Sequence, residues 1–68
     1  MTSFKNHRIV IDSYEKSSTA YEWCVENIPW SDWVVETGNN DESFYFDYEK
    51  HAQNFLFIFG GRYYNHGG

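Results

Sequence analysis

The residue types that could perform nucleophilic or metal chemistry are few in this chain. The thiol is Cys24, and the imidazoles are His7, His51 and His66. None of these histidines has the spacing from another histidine, or from the cysteine, that zinc sites use. Cys24 falls on the apolar side of a predicted helix, where cysteine behaves as a small hydrophobic residue. We therefore expect no metal, no cofactor and no catalytic cysteine.

Acid–base chemistry and phosphate binding have equally little support. Glu22 and Glu26 are one helical turn apart, but this spacing is more typical of a solvated helix face than of a catalytic pair. Gly60 and Gly61 follow an apolar run without opening a helix, so they cannot cradle a phosphate at a helix N-terminus. The sequence has no nucleophile elbow and no triad order. It predicts a protein that is not an enzyme.

The charge of the chain bears on its partners. Ten acidic residues against five basic ones give a formal charge of −5. This balance argues against nucleic acid, because affinity for phosphates comes largely from Lys and Arg. Tyr45 is the residue that could stack a base if the chain did bind single strands. No apolar run approaches a membrane span, and the N-terminus lacks a signal-peptide region, so we expect a cytoplasmic protein without membrane contact.

Aromatic residues must supply the core of so short a chain. Six Phe, six Tyr and three Trp occur among 68 residues, and each such side chain can bury about 150–250 Å². The length predicts one domain, near the lower limit for folding without disulfides or metals. We expect this domain to cover residues 1–61, with residues 62–68 as a loosely ordered tail. Oligomerisation is the other common way to stabilise small domains.

The first half of the chain predicts two strands and a helix. Residues 8–13 contain the β-branched Ile9, Val10 and Ile11, with the two isoleucines on one face and Val10 on the other, which indicates a strand. Ser18 or Thr19 is a candidate N-cap for a helix that Pro29 ends after residue 28. Residues 33–37 are again strand-like, and the loop-forming residues 38–41 separate them from the next strand at hairpin distance.

The second half is dominated by aromatic residues. Within residues 43–48 an aromatic side chain recurs at every second position, at Phe44, Phe46 and Tyr48, which is typical of a half-buried strand. Residues 49–54 predict a short helix. The apolar run 55–59 fits a buried strand or a buried helix, and its length and aromatic content favour a strand that Gly60 and Gly61 end.

The predicted order of elements is βαββαβ. This order indicates an α+β fold, a ferredoxin-like two-layer sandwich with a short second helix. Right-handed crossovers would place both helices on one face of a four-stranded antiparallel sheet. If residues 55–59 are helical instead, the alternative is βαββα with a three-stranded sheet.

The C-terminal half also carries a family pattern. The spacing Phe44-x-Phe46, then Ala52-x-x-Phe55-x-Phe57-x-Phe59-Gly60, resembles the C-terminal signature of small uncharacterised proteins of large tailed bacteriophages. His51, Leu56 and Phe59 depart from that signature, which has an acid, a lysine and a tryptophan there. The resemblance covers about a quarter of the chain. It implies a viral protein in the cytoplasm of an infected host cell and implies no activity.

The sheet face without helices is the predicted functional surface. In the layout with 55–59 as a strand, this face is more apolar than a solvated sheet needs to be. We expect this face to be covered by a second copy of the chain or by a host protein. A purely structural alternative is that the tail covers it. A functional alternative is that it binds single-stranded nucleic acid. The predicted interaction surface comprises Val10, Asp12, Tyr45, Asp47, Leu56 and Ile58.

Overall fold

The computed structural model describes residues 6–65, which form an α+β fold with two helices and one antiparallel sheet. In chain order the elements are β1 (His7–Ile11), α1 (Tyr14–Asn27), a 3-10 turn (Trp30–Asp32), β2 (Trp33–Thr37), β3 (Glu42–Phe46), α2 (Glu49–Phe59) and β4 (Arg62–Asn65). The four strands lie in the order β2-β3-β1-β4, and every neighbouring pair is antiparallel. The helices contact each other and the same side of the sheet, which makes two layers.

Helix α1 begins earlier than the sequence predicts. Its N-cap is Ser13, whose hydroxyl accepts a hydrogen bond from the backbone N–H of Lys16 at 3.4 Å. The predicted N-caps, Ser18 and Thr19, are therefore wrong; the hydroxyl of Thr19 donates to the carbonyl of Glu15 within the helix. Ser13 and the run at residues 17–19 offer competing caps, and the serine that comes first after β1 is used. The helix ends before Pro29, as predicted.

The β2–β3 hairpin is confirmed. Strand β2 has the predicted bounds. Strand β3 was predicted at residues 43–48 and is observed at Glu42–Phe46. The N–H of Gly38 donates to the carbonyl of Asp41 at 2.8 Å, which closes the loop between the two strands.

The prediction that residues 55–59 form a strand is wrong, because they continue α2 to Phe59. No turn residue separates the run from the preceding helical segment, and extending an existing helix costs much less than starting a new element. The residues that reach the core recur at helical spacing: Ala52, Phe55, Leu56 and Phe59. Gly60 then stops the helix with a φ of 75°.

The fourth strand is instead β4, so the three-stranded alternative is also wrong. Arg62–Asn65 pairs with β1 along the edge that the misplaced strand was expected to fill. The prediction of a loosely ordered tail is therefore incorrect for residues 62–65, while residues 66–68 lie outside the described part. Gly61 joins α2 to β4 with a φ of 104°.

The core lies between the helices and one face of the sheet, centred on Phe55. The ring of Phe55 lies 4.8 Å from that of Phe44, 5.2 Å from Phe46 and 5.0 Å from Phe59, measured between centroids. The buried apolar residues are Ile9, Ile11, Ala20, Cys24, Ile28, Trp33, Phe44, Phe46, Ala52 and Phe55. Aromatic packing thus supplies much of the core, as the composition predicts.

Candidate interaction surfaces

The sheet face opposite the helices, here called the open face, carries eight side chains in two rows across the strands. Strand residues alternate between faces, so the register fixes which ones share this side. One row is Val34, Tyr45, Arg8 and Tyr64, from β2, β3, β1 and β4; the other, in the same strand order, is Glu36, Ser43, Val10 and Arg62.

Arg8 is held at the centre of the open face. Its guanidinium carbon lies 5.8 Å from the ring centroid of Tyr45 and 5.5 Å from that of Tyr64, distances at which a cation interacts favourably with a ring. Its Nε and Nη2 both donate to the hydroxyl of Ser43, at 3.2 and 3.1 Å. These contacts fix a planar cation between two tyrosine rings.

The charged groups at the two sides of the open face have opposite sign. Glu36 lies on edge strand β2 and is exposed, and its Oε1 accepts a hydrogen bond from the hydroxyl of Tyr45 at 3.2 Å. Arg62 lies on the other edge strand, β4, and is also exposed. The face is thus less apolar than predicted, and it carries both acidic and basic side chains.

The six residues predicted as one interaction surface do not lie together. Val10 and Tyr45 are on the open face. Asp12 follows β1 and Asp47 follows β3; because these strands are antiparallel, the two acids lie at opposite ends of the sheet.

The other two members of that set, Leu56 and Ile58, are in α2 and belong to the helical layer. Leu56 packs against the core, and Ile58 is half exposed. Their neighbour Phe57 is 91% exposed. Their placement on the sheet was wrong because it depended on a strand at 55–59.

Sequence reasoning missed Arg8, Tyr64 and Arg62 as residues of the open face. Arg8 begins the strand predicted at residues 8–13 but is not among the six predicted surface residues, and the other two lie in the predicted tail at residues 62–68. The alternation in Arg62–Asn65, with Tyr63 towards the core and Tyr64 away from it, was the available signal for a strand.

A cleft of about 390 Å³ lies between α1 and β2, here called the α1–β2 cleft. Its lining residues are Tyr14, Ser17, Ser18, Tyr21, Val35, Thr37 and Glu42. The carboxylate of Glu42 accepts hydrogen bonds from the hydroxyls of Ser17 and, at 3.0 Å, Thr37. The cleft therefore combines two tyrosines with an oriented carboxylate.

Cys24 and His7 both pack against other side chains of the fold. Cys24 is fully buried, and burial raises the pKa of its thiol to about 12. His7 stacks on Tyr63, with its Nδ1 2.7 Å from the tyrosine hydroxyl. Within residues 6–65, no group of three or more His, Cys, Asp or Glu side chains is arranged to hold a metal ion.

Comparisons of the chain with known protein families, curated proteins and solved structures found no match. In the part of the chain that the structure describes, no helix has the length and apolar character needed to cross a bilayer.

Proposed function

We propose that this protein is a non-catalytic protein–protein interaction module that acts through its open face, and that the partner on this face is a second copy of the chain. The observation that carries the proposal is the arrangement of charge. Glu36 and Arg62 occupy the two ends of one row, with Ser43 and Val10 between them.

Such a row is complementary to the same row of a second copy that runs in the opposite direction across the sheet. Consider two open faces in contact, related by a two-fold axis that runs parallel to the strands between β3 and β1. This axis exchanges β2 with β4 and β3 with β1, so Glu36 of each copy faces Arg62 of the other. A two-fold interface uses the same patch on both copies, and both ion pairs form together.

The same axis also matches the second row. Tyr45 of one copy faces Arg8 of the other, and Val34 faces Tyr64. Tyrosine and arginine are the residue types enriched at the centres of protein interfaces. Arg8 and Tyr45 are already held by contacts within their own chain, so less side-chain entropy is lost on association.

The interface would be small. Eight side chains on a four-stranded sheet bury an area at the low end of specific interfaces, below about 1,200 Å² in total. We therefore expect a dimer that dissociates at roughly micromolar or higher concentration, with an affinity that falls as salt screens the ion pairs.

Sedimentation equilibrium of the protein and two matched variants tests this proposal. Val10→Asp puts a charge in the middle of the open face, and dimerisation should be lost. Ile58→Asp makes the same kind of change on α2, and dimerisation should remain. Retained association in Val10→Asp, loss of association only in Ile58→Asp, or a monomeric native protein at hundreds of micromolar would each contradict the proposal.

The flanking of Arg8 by Tyr45 and Tyr64 favours a second candidate, binding of single-stranded nucleic acid by stacking on the sheet. Only Arg8 and Arg62 among the eight side chains of the open face are basic, so the salt dependence would correspond to about two phosphates. Fluorescence anisotropy with labelled oligothymidine tests it: binding that Tyr45→Ala abolishes supports this candidate, and no binding at low salt eliminates it.

We further propose a ferredoxin-like arrangement for the fold. The support is the strand order β2-β3-β1-β4 with one helix after β1 and one after β3. The C-terminal aromatic pattern supports a tailed-phage origin, and with it a role in the cytoplasm of an infected host cell. A host protein is then the alternative partner for the open face, and it would compete with self-association.

A further inference from the structure

We propose that the α1–β2 cleft, together with the outer edge of β2, binds an extended peptide that carries a lysine or arginine side chain. This site lies on the helical side of the sheet, so it is separate from the open face and does not depend on dimerisation.

The backbone of β2 provides the first half of the site. Within the described residues β2 ends the sheet, with β3 on its other side. An edge strand presents unpaired N–H and C=O groups to which an extended peptide can add as a further strand. Side chains directly opposite each other on paired strands share one face. A peptide residue opposite Val35 or Thr37, which line the cleft, therefore directs its side chain into it.

The carboxylate of Glu42 provides the charge that selects this side chain. Both of its oxygens are held by hydroxyl donors, from Ser17 and Thr37. No ion pair to Glu42 occurs within residues 6–65. Two neutral hydrogen bonds orient the carboxylate but leave its charge uncompensated, so an ammonium or guanidinium group is the complementary ligand.

The two tyrosines provide walls suited to the same ligand. Tyr14 and Tyr21 are seven residues apart on α1, which places them on one helix face about 10 Å apart along the axis. Both are exposed and yet held: the hydroxyl of Tyr14 donates to the carbonyl of Asn39 at 3.1 Å, and Tyr21 meets the ring of Trp33 edge-on at 5.6 Å. A cation between them can interact with aromatic faces as well as with the carboxylate.

The test is an NMR titration of the ¹⁵N-labelled protein with a blocked pentapeptide, acetyl-Thr-Val-Lys-Val-Thr-amide, and with the same peptide carrying norleucine in place of lysine. We expect the lysine peptide to shift the amide resonances of β2 and to bind at least about fivefold more tightly than the norleucine peptide. Glu42→Gln, which keeps a hydrogen-bond acceptor, should abolish this difference. Glu26→Gln removes a charge elsewhere on the surface and should preserve it.

A blocking variant gives an independent check. Ser18→Lys places a cation of the chain's own beside the cleft and should prevent binding, whereas Thr19→Lys on the neighbouring position should not. The proposal is overturned if the lysine peptide does not bind, if the two peptides bind equally, or if the shifts fall on β4 rather than β2. Because Val10→Asp lies on the other face, normal peptide binding by that variant separates this site from the proposed dimer interface.

Discussion

Phe55 and Phe57 are two residues apart and have opposite surroundings. Phe55 is fully buried and contacts four aromatic rings, whereas Phe57 is 91% exposed. Residues two apart face the same side of a strand but lie about 200° apart around a helix. The difference between these two phenylalanines therefore follows directly from α2 extending to Phe59.

We predict that Phe55→Ala and Phe57→Ala have very different effects on stability. Removing the buried ring should lower the free energy of unfolding by about 3–5 kcal/mol, because it leaves a cavity among the other rings. That is a large part of the total for a domain of this size. Removing the exposed ring should change it by less than about 0.5 kcal/mol. Urea denaturation followed by circular dichroism measures both.

The two variants serve as controls for each other, since each deletes the same side chain from the same helix. Equal losses of stability would contradict the helical assignment of residues 55–59, because both rings would then share one buried sheet face.

Much of the fold was predictable from local patterns. The alternation in residues 8–13, the loop at 38–41 and the proline after α1 predicted the first strand, the hairpin and the end of the first helix, and the first strand is observed at His7–Ile11. These signals are local because each depends on a period or a residue with restricted backbone angles. Residues 55–59 had no such signal, because five consecutive apolar residues fit the period of a helix as well as that of a strand.

The open face was predictable only in part, because it depends on which strands pair. Val10 and Tyr45 were assigned correctly from alternation within their own strands. Arg62 and Tyr64 reach this face only through the pairing of β4 with β1, a contact between segments more than 50 residues apart. A strand of only four residues carries too little periodicity for that pairing to be predicted from sequence.

The junction between α2 and β4 gives a second prediction. A Cβ on Gly61 would lie 2.7 Å from the carbonyl oxygen of Val10 and 2.8 Å from a methyl carbon of Ile11, whereas one on Gly60 would meet nothing within 4 Å. Both glycines have positive φ. We expect Gly60→Ala to cost about 1–3 kcal/mol from backbone strain alone, and Gly61→Ala to cost more.

Thermal unfolding of both variants measures the difference. Hydrogen exchange at β4 should increase selectively in Gly61→Ala, because the clash is with the backbone of β1 next to that strand. A smaller loss of stability for Gly61→Ala than for Gly60→Ala would contradict the close approach of the chain to β1.

Cys24 gives a third prediction, on reactivity and pH. Its pKa of about 12 in the fold lies above its ordinary value of 9.0, because burial disfavours the thiolate. At pH 8 the native protein should react with iodoacetamide at least about a hundredfold more slowly than the urea-unfolded chain. Mass spectrometry over time measures the rates, and similar rates in both states would contradict burial of this thiol.

The same pKa shift fixes the sign of a pH effect on stability. Above about pH 9 the unfolded chain loses the thiol proton while the folded chain keeps it, so the free energy of unfolding falls as pH rises from there. The pKa of Tyr63 is also raised, first by burial and then by Glu49, and acts in the same direction at higher pH. Cys24→Ala has no thiol, so the part of the fall in the free energy of unfolding that begins near pH 9 should be absent in this variant.

Self-association through the open face is the central claim, and a mixing experiment with two charge reversals tests it most directly. In Glu36→Arg the two-fold arrangement opposes arginine to Arg62, and in Arg62→Glu it opposes glutamate to Glu36. Like charges across an interface are strongly unfavourable, so we expect each variant alone to dimerise at least about tenfold more weakly than the native protein.

An equimolar mixture of these two variants restores both ion pairs, because each reversed residue then meets its complement on the other chain. Sedimentation equilibrium should show two monomeric variants that form a heterodimer of near-native affinity when mixed. If the mixture stays as weakly associated as its components, or if either variant alone dimerises like the native protein, the two-fold pairing of Glu36 with Arg62 is contradicted.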